Sequence, residues 1–216
     1  MAEEMTRRRF VKIGTVAAGA VAVGTGAVFA ATRAPEPEQS RAEMGDGMSS
    51  VLVVYGTKSG CTSGVAEKIG ETLAAHGARV DVRPVADGPD PAGYDAVVVG
   101  SGVRMGQWHQ PVRDWVSTNA ESLKARPTAF YTVCLTLAQD PEKTDEVRAY
   151  TDPLIEASGV TPVGLGLFAG WNEPSRFGFL ERTILKAMKA PAGDFRDFAA
   201  IGAWASAAEK DLGLPA

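Results

Sequence analysis

Four short, almost uniformly apolar runs alternate with longer amphipathic stretches along the chain. Because these runs lack the polar alternation of a half-exposed strand, they predict parallel strands buried on both faces. They occupy residues 51–56, 94–100, 128–135 and 160–168. A fifth run, residues 79–84, alternates apolar and polar positions like an edge strand. Helical spacing of apolar residues predicts helices at 62–76, 111–123, 141–158, 177–190 and 195–212. Alternating strands and helices predict an α/β fold whose parallel sheet carries helices on both faces.

The first apolar run leads into a loop of small and hydroxyl-bearing residues and then into a helical pattern. Strand, small-residue loop and helix together offer backbone N–H groups and a positive helix end to a phosphate. The loop has neither the Gly-Lys-Ser/Thr ending of a P-loop nor the Gly-x-Gly-x-x-Gly pattern of a dinucleotide fold. We therefore expect it to bind a single terminal phosphate such as that of FMN, the alternative being an ordinary strand-to-helix turn. The candidate contacts are Thr57, Lys58, Ser59, Gly60, Cys61 and Thr62.

Three of these candidates, Thr57, Ser59 and Thr62, would act as hydroxyl donors to the phosphate. Gly60 would let the backbone approach it closely. Lys58 is either a phosphate contact or a solvated side chain. Cys61 is either a small loop residue or a redox thiol whose pKa is lowered at the helix N-terminus.

Composition narrows the function classes. The 216 residues are enough for one sizeable domain with an appendage. A net charge of −4, without a basic stripe of interleaved aromatic residues, argues against nucleic-acid binding. Two cysteines and two histidines exclude a disulfide framework and a multi-histidine metal site, so no metal is predicted.

The N-terminal segment has the pattern of an export signal. Arginines 7–9 directly precede an uncharged apolar stretch at residues 13–32, as in twin-arginine signals. We expect residues 1–32 to direct the chain to the periplasmic or extracytoplasmic face of the membrane, and to anchor it there if they stay uncut. Residues 33–49, which contain Pro and Gly and have no period, are predicted as a linker. Residues 50–216 form the predicted globular domain.

The loops and strand ends together resemble the flavodoxin family. This resemblance covers roughly residues 50–213 and implies a five-stranded parallel sheet of order 2-1-3-4-5, with FMN at the switch point between the first and third strands. Within the family the chain looks most like the menaquinone-dependent protoporphyrinogen IX dehydrogenases. Four stretches carry that likeness, at residues 94–109, 129–135, 168–171 and 179–189. The likeness implies a flavin-dependent oxidoreductase that passes electrons from a reduced substrate, such as protoporphyrinogen IX, to a quinone.

Two further loops should then border the isoalloxazine ring of FMN. The second loop contributes Ser101, Gly102, Val103, Arg104, Gly106 and Trp108, and the third contributes Leu135, Thr136 and Leu137. Trp108 is the candidate stacking ring, unless it is a rim or core aromatic. Arg104 and His109 are the candidate catalytic residues. Arg104 would place positive charge near the reduced flavin, or form a surface ion pair. His109 would assist proton movement, or be a capping or surface histidine.

The apolar and basic residues of segment 176–189 leave two interpretations open. Apolar residues at helical spacing usually face a core, whereas a basic flank suits contact with a membrane surface. Two alternatives to the enzyme also stay open, an exported flavodoxin-like electron carrier and a non-catalytic flavodoxin-fold binding module. A Cys61–Cys134 disulfide is a further alternative for the exported chain.

Overall fold

The structure is a computed structural model that describes residues 39–187 and 190–214. The predicted export signal at residues 1–32 and the first part of the linker lie outside the described residues. So do residues 188–189 of the basic segment and the last two residues of the chain. Along the part of the chain that is described, no helix combines the length and the apolar character needed to cross a bilayer.

Seven strands form the main sheet, and two more form a separate antiparallel ribbon. The sheet strands are β1 (Ala42–Met44), β2 (Ser50–Gly56), β3 (Arg79–Pro84), β4 (Ala96–Arg104), β5 (Gln107–Trp108), β6 (Thr128–Cys134) and β7 (Leu165–Ala169). The ribbon strands are β8 (Trp171–Asn172) and β9 (Gly193–Asp194). Strands β3, β2, β4, β6 and β7 lie side by side and are mutually parallel. The predicted order 2-1-3-4-5 is therefore confirmed.

Helices cover both faces of this sheet, as predicted. They are α1 (Cys61–Ala75), α2 (Gln110–Thr118), α3 (Ala120–Lys124), α4 (Thr136–Gln139), α5 (Thr144–Ala149), α6 (Asp152–Ser158), α7 (Phe179–Ala187) and α8 (Phe198–Ala208). Side chains of β2 alternate between two cores: Val53 packs with α1 and α8, and Val54 packs with α2 and α6. All seven residues of β2 are buried, which explains why its sequence is uniformly apolar.

Residues 79–84 were predicted as an edge strand, and this prediction is wrong, because β3 has a strand on each side. Strand β1, in the segment predicted as a linker, pairs antiparallel with β3. Ion pairs support this pairing, because Arg41 lies 2.6 Å from Asp87 and Arg83 pairs with Glu43. Of the polar positions of β3, Asp81 and Arg83 are half-buried, whereas Arg79 is exposed.

The second predicted loop is a β-hairpin. Strand β4 continues to Arg104 and pairs antiparallel with β5. The two residues of the turn, Met105 and Gly106, have φ values of 52° and 73°, as a tight two-residue hairpin turn requires. Two predicted helices are also interrupted. Residues 111–123 divide at Asn119 into α2 and α3, and residues 141–158 divide before Pro153 into α5 and α6.

Residues 171–172, which follow β7, form the first strand of the β8–β9 ribbon. Helix α7 lies between β8 and β9 in the sequence, so residues 171–194 form an insertion between β7 and α8. We call these residues the ribbon insertion.

Candidate functional site

The three loops predicted from the sequence meet at one edge of the sheet. Parallel pairing places Gly56 of β2 opposite Ser101 of β4, and Gly102 of β4 opposite Val133 of β6. The carboxyl ends of these strands therefore lie side by side, at the point where strand order reverses. This is where open α/β sheets bind their ligands.

The phosphate loop, residues 57–60 between β2 and α1, is fixed by its own hydrogen bonds. The Gly60 N–H donates to Thr57 Oγ1 over 2.9 Å, and Ser63 Oγ donates to the Gly60 carbonyl over 2.6 Å. Gly60 has a φ of 92°, in the region that favours glycine. Helix α1 begins at the next residue, so its first amides lie at the end of this loop.

Two of the predicted hydroxyl donors are buried in this loop region. Thr57 accepts a hydrogen bond through its oxygen, which leaves its hydroxyl hydrogen for a ligand. A Cβ placed on Gly102 would lie 3.2 Å from Thr62 Oγ1, so Gly102 of the hairpin lies close to the start of α1. The backbone amide of Gly60 is not available to a phosphate. Its N–H is already bonded to Thr57.

Cys61 is a packing residue at the start of α1. Its Sγ accepts a hydrogen bond from the Trp171 backbone N–H over 3.2 Å. Burial is the main cause that raises the pKa of its thiol to about 11. Cys61 and Cys134 are both buried free thiols, so the structure contains no disulfide between them. These findings favour the small loop residue over the redox thiol.

Two residues beside the phosphate loop were missed as site residues by the sequence analysis. Trp171 Nε1 donates to Ser59 Oγ over 3.3 Å. The Arg196 guanidinium lies 4.4 Å from the centre of the Trp171 ring, and its Nη1 donates to the Cys61 carbonyl over 3.3 Å. Asp194 holds Arg196 through two hydrogen bonds of 2.9 and 2.6 Å. Because Arg196 lies 135 positions from Cys61, no local pattern could have indicated it.

The base of the hairpin is tied by Ser101. Its Oγ accepts from the His109 N–H and donates to the Gly102 carbonyl, both over 2.8 Å. Ser101 is fully buried, which makes it a structural residue of the predicted set. Gly102 and Val103 are half-buried at the sheet edge, whereas Arg104 and Gly106 are exposed at the hairpin turn.

Trp108 is a core residue, and its prediction as the stacking ring is wrong. Only 2% of its surface is exposed. Its ring packs edge-on against Phe130, with ring centres 5.5 Å apart. Its Nε1 donates to Thr132 Oγ1 over 2.9 Å inside the protein. The hairpin register turns Trp108 inward, so the ring is not available to stack on a cofactor.

His109 lies beside the phosphate loop. It precedes α2, but its side chain makes no capping hydrogen bond. Within the described residues its buried Nδ1 has no hydrogen-bond partner. Burial, and secondarily the charge of Arg104, lowers the pKa of His109 below its usual 6.5, so the ring is neutral at pH 7. It borders a cavity of about 60 Å³ that is also lined by Gly56, Thr57 and Pro111.

The third loop contains the short helix α4. Leu137 packs in a small cluster with Cys134 and Val147 and is 8% exposed, as Thr57 is, so its contact with the ring stays a prediction. Leu135 and Thr136 are half-buried and remain candidates. Tyr150, another residue missed by the sequence analysis, lies against the third loop and against the turn of the β4–β5 hairpin. Its OH is 3.3 Å from Thr136 Oγ1, and a Cβ on Gly106 would lie 3.6 Å from its ring.

The residues present fit FMN. A hydroxyl-bearing loop at a helix N-terminus suits one phosphate dianion, which accepts hydrogen bonds and is stabilised by the helix dipole. Close backbone approach at Gly102 and the half-buried edge between hairpin and third loop suit a flat ring system. The loops therefore provide a phosphate subsite and a ring subsite in the order that FMN requires.

Comparison with known proteins gives a consistent result. The family model described as a flavodoxin domain matches residues 52–198. Protoporphyrinogen IX dehydrogenase [quinone] of Escherichia coli K12 is 26% identical over 148 residues, which are 68% of this chain and 82% of that protein. The enzyme of the same name from Leishmania major is 29% identical over 167 residues, 72% of each chain.

Among solved structures, the two-electron reduced flavodoxin of Megasphaera elsdenii has a TM-score of 0.46 and 18% identity. It covers 73% of this chain and 98% of its own. The family match spans more than half of the chain, and the parallel sheet has the strand order expected for that family. On this evidence the chain belongs to the flavodoxin domain family.

Proposed function

We propose that this chain is an FMN-dependent oxidoreductase that passes electrons from a reduced substrate, of the porphyrinogen class, to a quinone. The observation that carries the proposal is the phosphate loop, held at the start of α1 beside the β4–β5 hairpin. Substrate class and acceptor follow from the two relatives named as quinone-dependent protoporphyrinogen IX dehydrogenases. Membership of the flavodoxin domain family supports FMN as the cofactor.

The chain's own residues bind and orient the reactants. FMN, when bound, supplies the two-electron chemistry, and the protein supplies position and electrostatics. The Thr57 and Thr62 hydroxyls and the first amides of α1 hold the phosphate. Arg104, exposed at the hairpin turn, places a positive charge beside the ring subsite.

His109 is the proposed proton acceptor. Oxidation of a porphyrinogen releases electrons and protons in equal numbers, and a quinone takes up two of each to become a quinol. Because His109 is neutral near pH 7 and its Nδ1 has no hydrogen-bond partner among the described residues, this atom can accept one of those protons.

The cofactor site is tested by absorbance and by titration of the full chain with FMN. Thr57→Val and Thr62→Val should each weaken FMN binding about 10- to 100-fold, since each removes a hydrogen bond to a charged group. Riboflavin, which lacks the phosphate, should bind all variants alike. Thr57→Ser should retain FMN affinity, and the exposed Thr118→Val is the matched control. A colourless protein that does not bind added FMN would refute the proposal.

A flavodoxin-like electron carrier is the second candidate, and one observation favours it. Arg104 and Gly106, at the hairpin turn that borders the proposed ring subsite, are exposed. An electron carrier needs only an exposed cofactor edge. The two functions are distinguished by mixing the FMN-loaded protein with a porphyrinogen and a soluble naphthoquinone. Stoichiometric porphyrin and quinol support the enzyme, whereas one-electron exchange with protein partners and no porphyrin support the carrier.

We also propose export by the twin-arginine pathway to the outer face of the membrane. The support is the sequence pattern of residues 6–32. Replacing Arg7 and Arg8 together by lysine should leave the protein inside the cell, with its FMN content unchanged. Equal export of the double variant and the parent chain would contradict the proposal.

A further inference from the structure

Helix α7 presents three large apolar side chains to solvent. The exposed fractions are 66% for Phe179, 71% for Leu180 and 48% for Ile184. Leu180 and Ile184 are four residues apart, so they lie on the same side of the helix, and Phe179 extends this side by one position. Of the two interpretations of segment 176–189, the one in which these three residues face the domain core is wrong.

Basic residues border this apolar side. Arg182 and Lys186 are exposed and one helical turn apart, next to Phe179 on the helix surface. Such side chains can extend their charged ends into water while their stems lie along apolar surface. With two basic residues and one acidic residue, Glu181, α7 has a net charge of +1, opposite in sign to the net charge of −4 of the whole chain.

The ribbon insertion that carries α7 is fixed to the cofactor side of the domain. Trp171 binds Ser59 of the phosphate loop. Arg196, which follows the insertion and is hydrogen-bonded to its last residue, Asp194, binds the Cys61 carbonyl at the start of α1. Asn172 Nδ2 donates to the carbonyls of Ala190 and Pro191 over 3.1 and 2.9 Å, which closes the two ends of the insertion. The two ends of the segment that carries α7 are therefore fixed beside the phosphate loop.

We propose that α7 docks on a lipid bilayer that contains anionic lipid. An exposed apolar side bordered by Arg and Lys is the composition of helices that lie in the membrane interface, and anionic headgroups complement the two cations. A second copy of the chain fits less well, because a symmetric α7–α7 contact would bring the same cations together. This inference rests on the proposed function, since a membrane quinone is reached at the bilayer surface.

The test reads the environment of single positions, because the apolar N-terminal stretch of the full chain could itself bind vesicles. Leu180→Cys is labelled with a polarity-sensitive fluorophore in the FMN-loaded full chain. Native Cys61 and Cys134 are buried and should stay unlabelled. Met48→Cys, at a position that is 98% exposed, is the matched control. Vesicles are phosphatidylcholine alone or phosphatidylcholine mixed with phosphatidylglycerol.

We expect a blue shift at position 180 on mixed vesicles, a weaker one on neutral vesicles and none at position 48. Reversing both charges with Arg182→Glu and Lys186→Glu should weaken binding through α7 about 30-fold or more, because the two lost attractions of about 1 kcal/mol each already amount to that factor. Lys210→Glu, an exposed position away from α7, should have no such effect.

Three results would overturn the proposal. They are no shift on any vesicle, an equal shift at positions 48 and 180, and a blue shift without lipid. If the shift without lipid grows with protein concentration, a second copy of the chain covers α7. If it does not change with concentration, the chain's own N-terminal segment covers α7. FMN content is read from absorbance in every sample. Loss of cofactor would therefore refute the proposed function separately from lipid docking.

Discussion

Trp108→Phe separates a core role of this residue from a cofactor role. The change keeps an aromatic ring against Phe130 but removes the Nε1 hydrogen bond to Thr132. Thr132 Oγ1 stays hydrogen-bonded to Thr151 Oγ1 at 3.1 Å, so no buried hydroxyl loses its last partner. The lost hydrogen bond should cost about 1 kcal/mol, and the smaller ring about 1–2 kcal/mol of packing.

The expected total loss in the free energy of unfolding is about 2–3 kcal/mol, which lowers the melting temperature of a domain of this size by about 4–12 °C. Urea unfolding and thermal melts measure this loss, and an FMN titration at a temperature where both proteins are folded measures the cofactor affinity. Trp115→Phe is the matched control, because Trp115 is also buried and its Nε1 donates to the Pro89 carbonyl over 3.0 Å.

Both variants should lose stability and retain the FMN affinity of the parent chain. The reasoning would be refuted if Trp108→Phe left stability unchanged while FMN affinity fell tenfold and Trp115→Phe did not affect it. That result would mean that the indole leaves the core to meet the ring.

Three further predictions concern the surroundings of the cofactor site. Cys61 and Cys134 should resist Ellman's reagent in the folded chain and give two thiols after denaturation, because burial raises the pKa of both; rapid native labelling would contradict this. Burial lowers the pKa of His109, so below pH 6.5 the unfolded chain binds a proton before the folded chain does. Between pH 7.5 and 5.5 the melting temperature should therefore fall less in His109→Asn than in the parent chain. Equal falls in the two proteins would contradict a lowered pKa of His109. Arg196→Lys should lose the paired guanidinium hydrogen bonds to Asp194 and the packing of the guanidinium on the Trp171 ring. Trypsin should therefore cut the ribbon insertion faster in this variant, which mass spectrometry of timed digests measures. An unchanged cleavage rate would argue against this role of Arg196.

The sheet could be predicted because its signal is local. Residues such as Val53 and Val54 are apolar in succession since helices cover both faces, and this pattern is visible in the sequence without any partner. The phosphate loop is likewise a continuous segment with a recognisable composition. These features depend on neighbours within a few residues.

The errors arose at an atypical turn and where residues far apart in the sequence pair. Met105 at a position with positive φ gives no turn signal, so the hairpin and the inward direction of Trp108 could not be anticipated. Arg196 reaches the phosphate loop from a distant part of the chain. The pairing of β1 with β3 depends on Arg41 and Asp87, which are 46 positions apart.

Strand β1 has a consequence for any proteolytic processing of this protein. A cut before residue 41 keeps the three-residue cover on β3, together with the Arg41–Asp87 ion pair. A cut after Met44 would uncover the amides and carbonyls along the outer side of β3. An uncovered strand of this kind can recruit an equivalent strand from a neighbouring molecule and begin aggregation. The position of a cut within a few residues would thus decide whether the outer side of β3 stays covered.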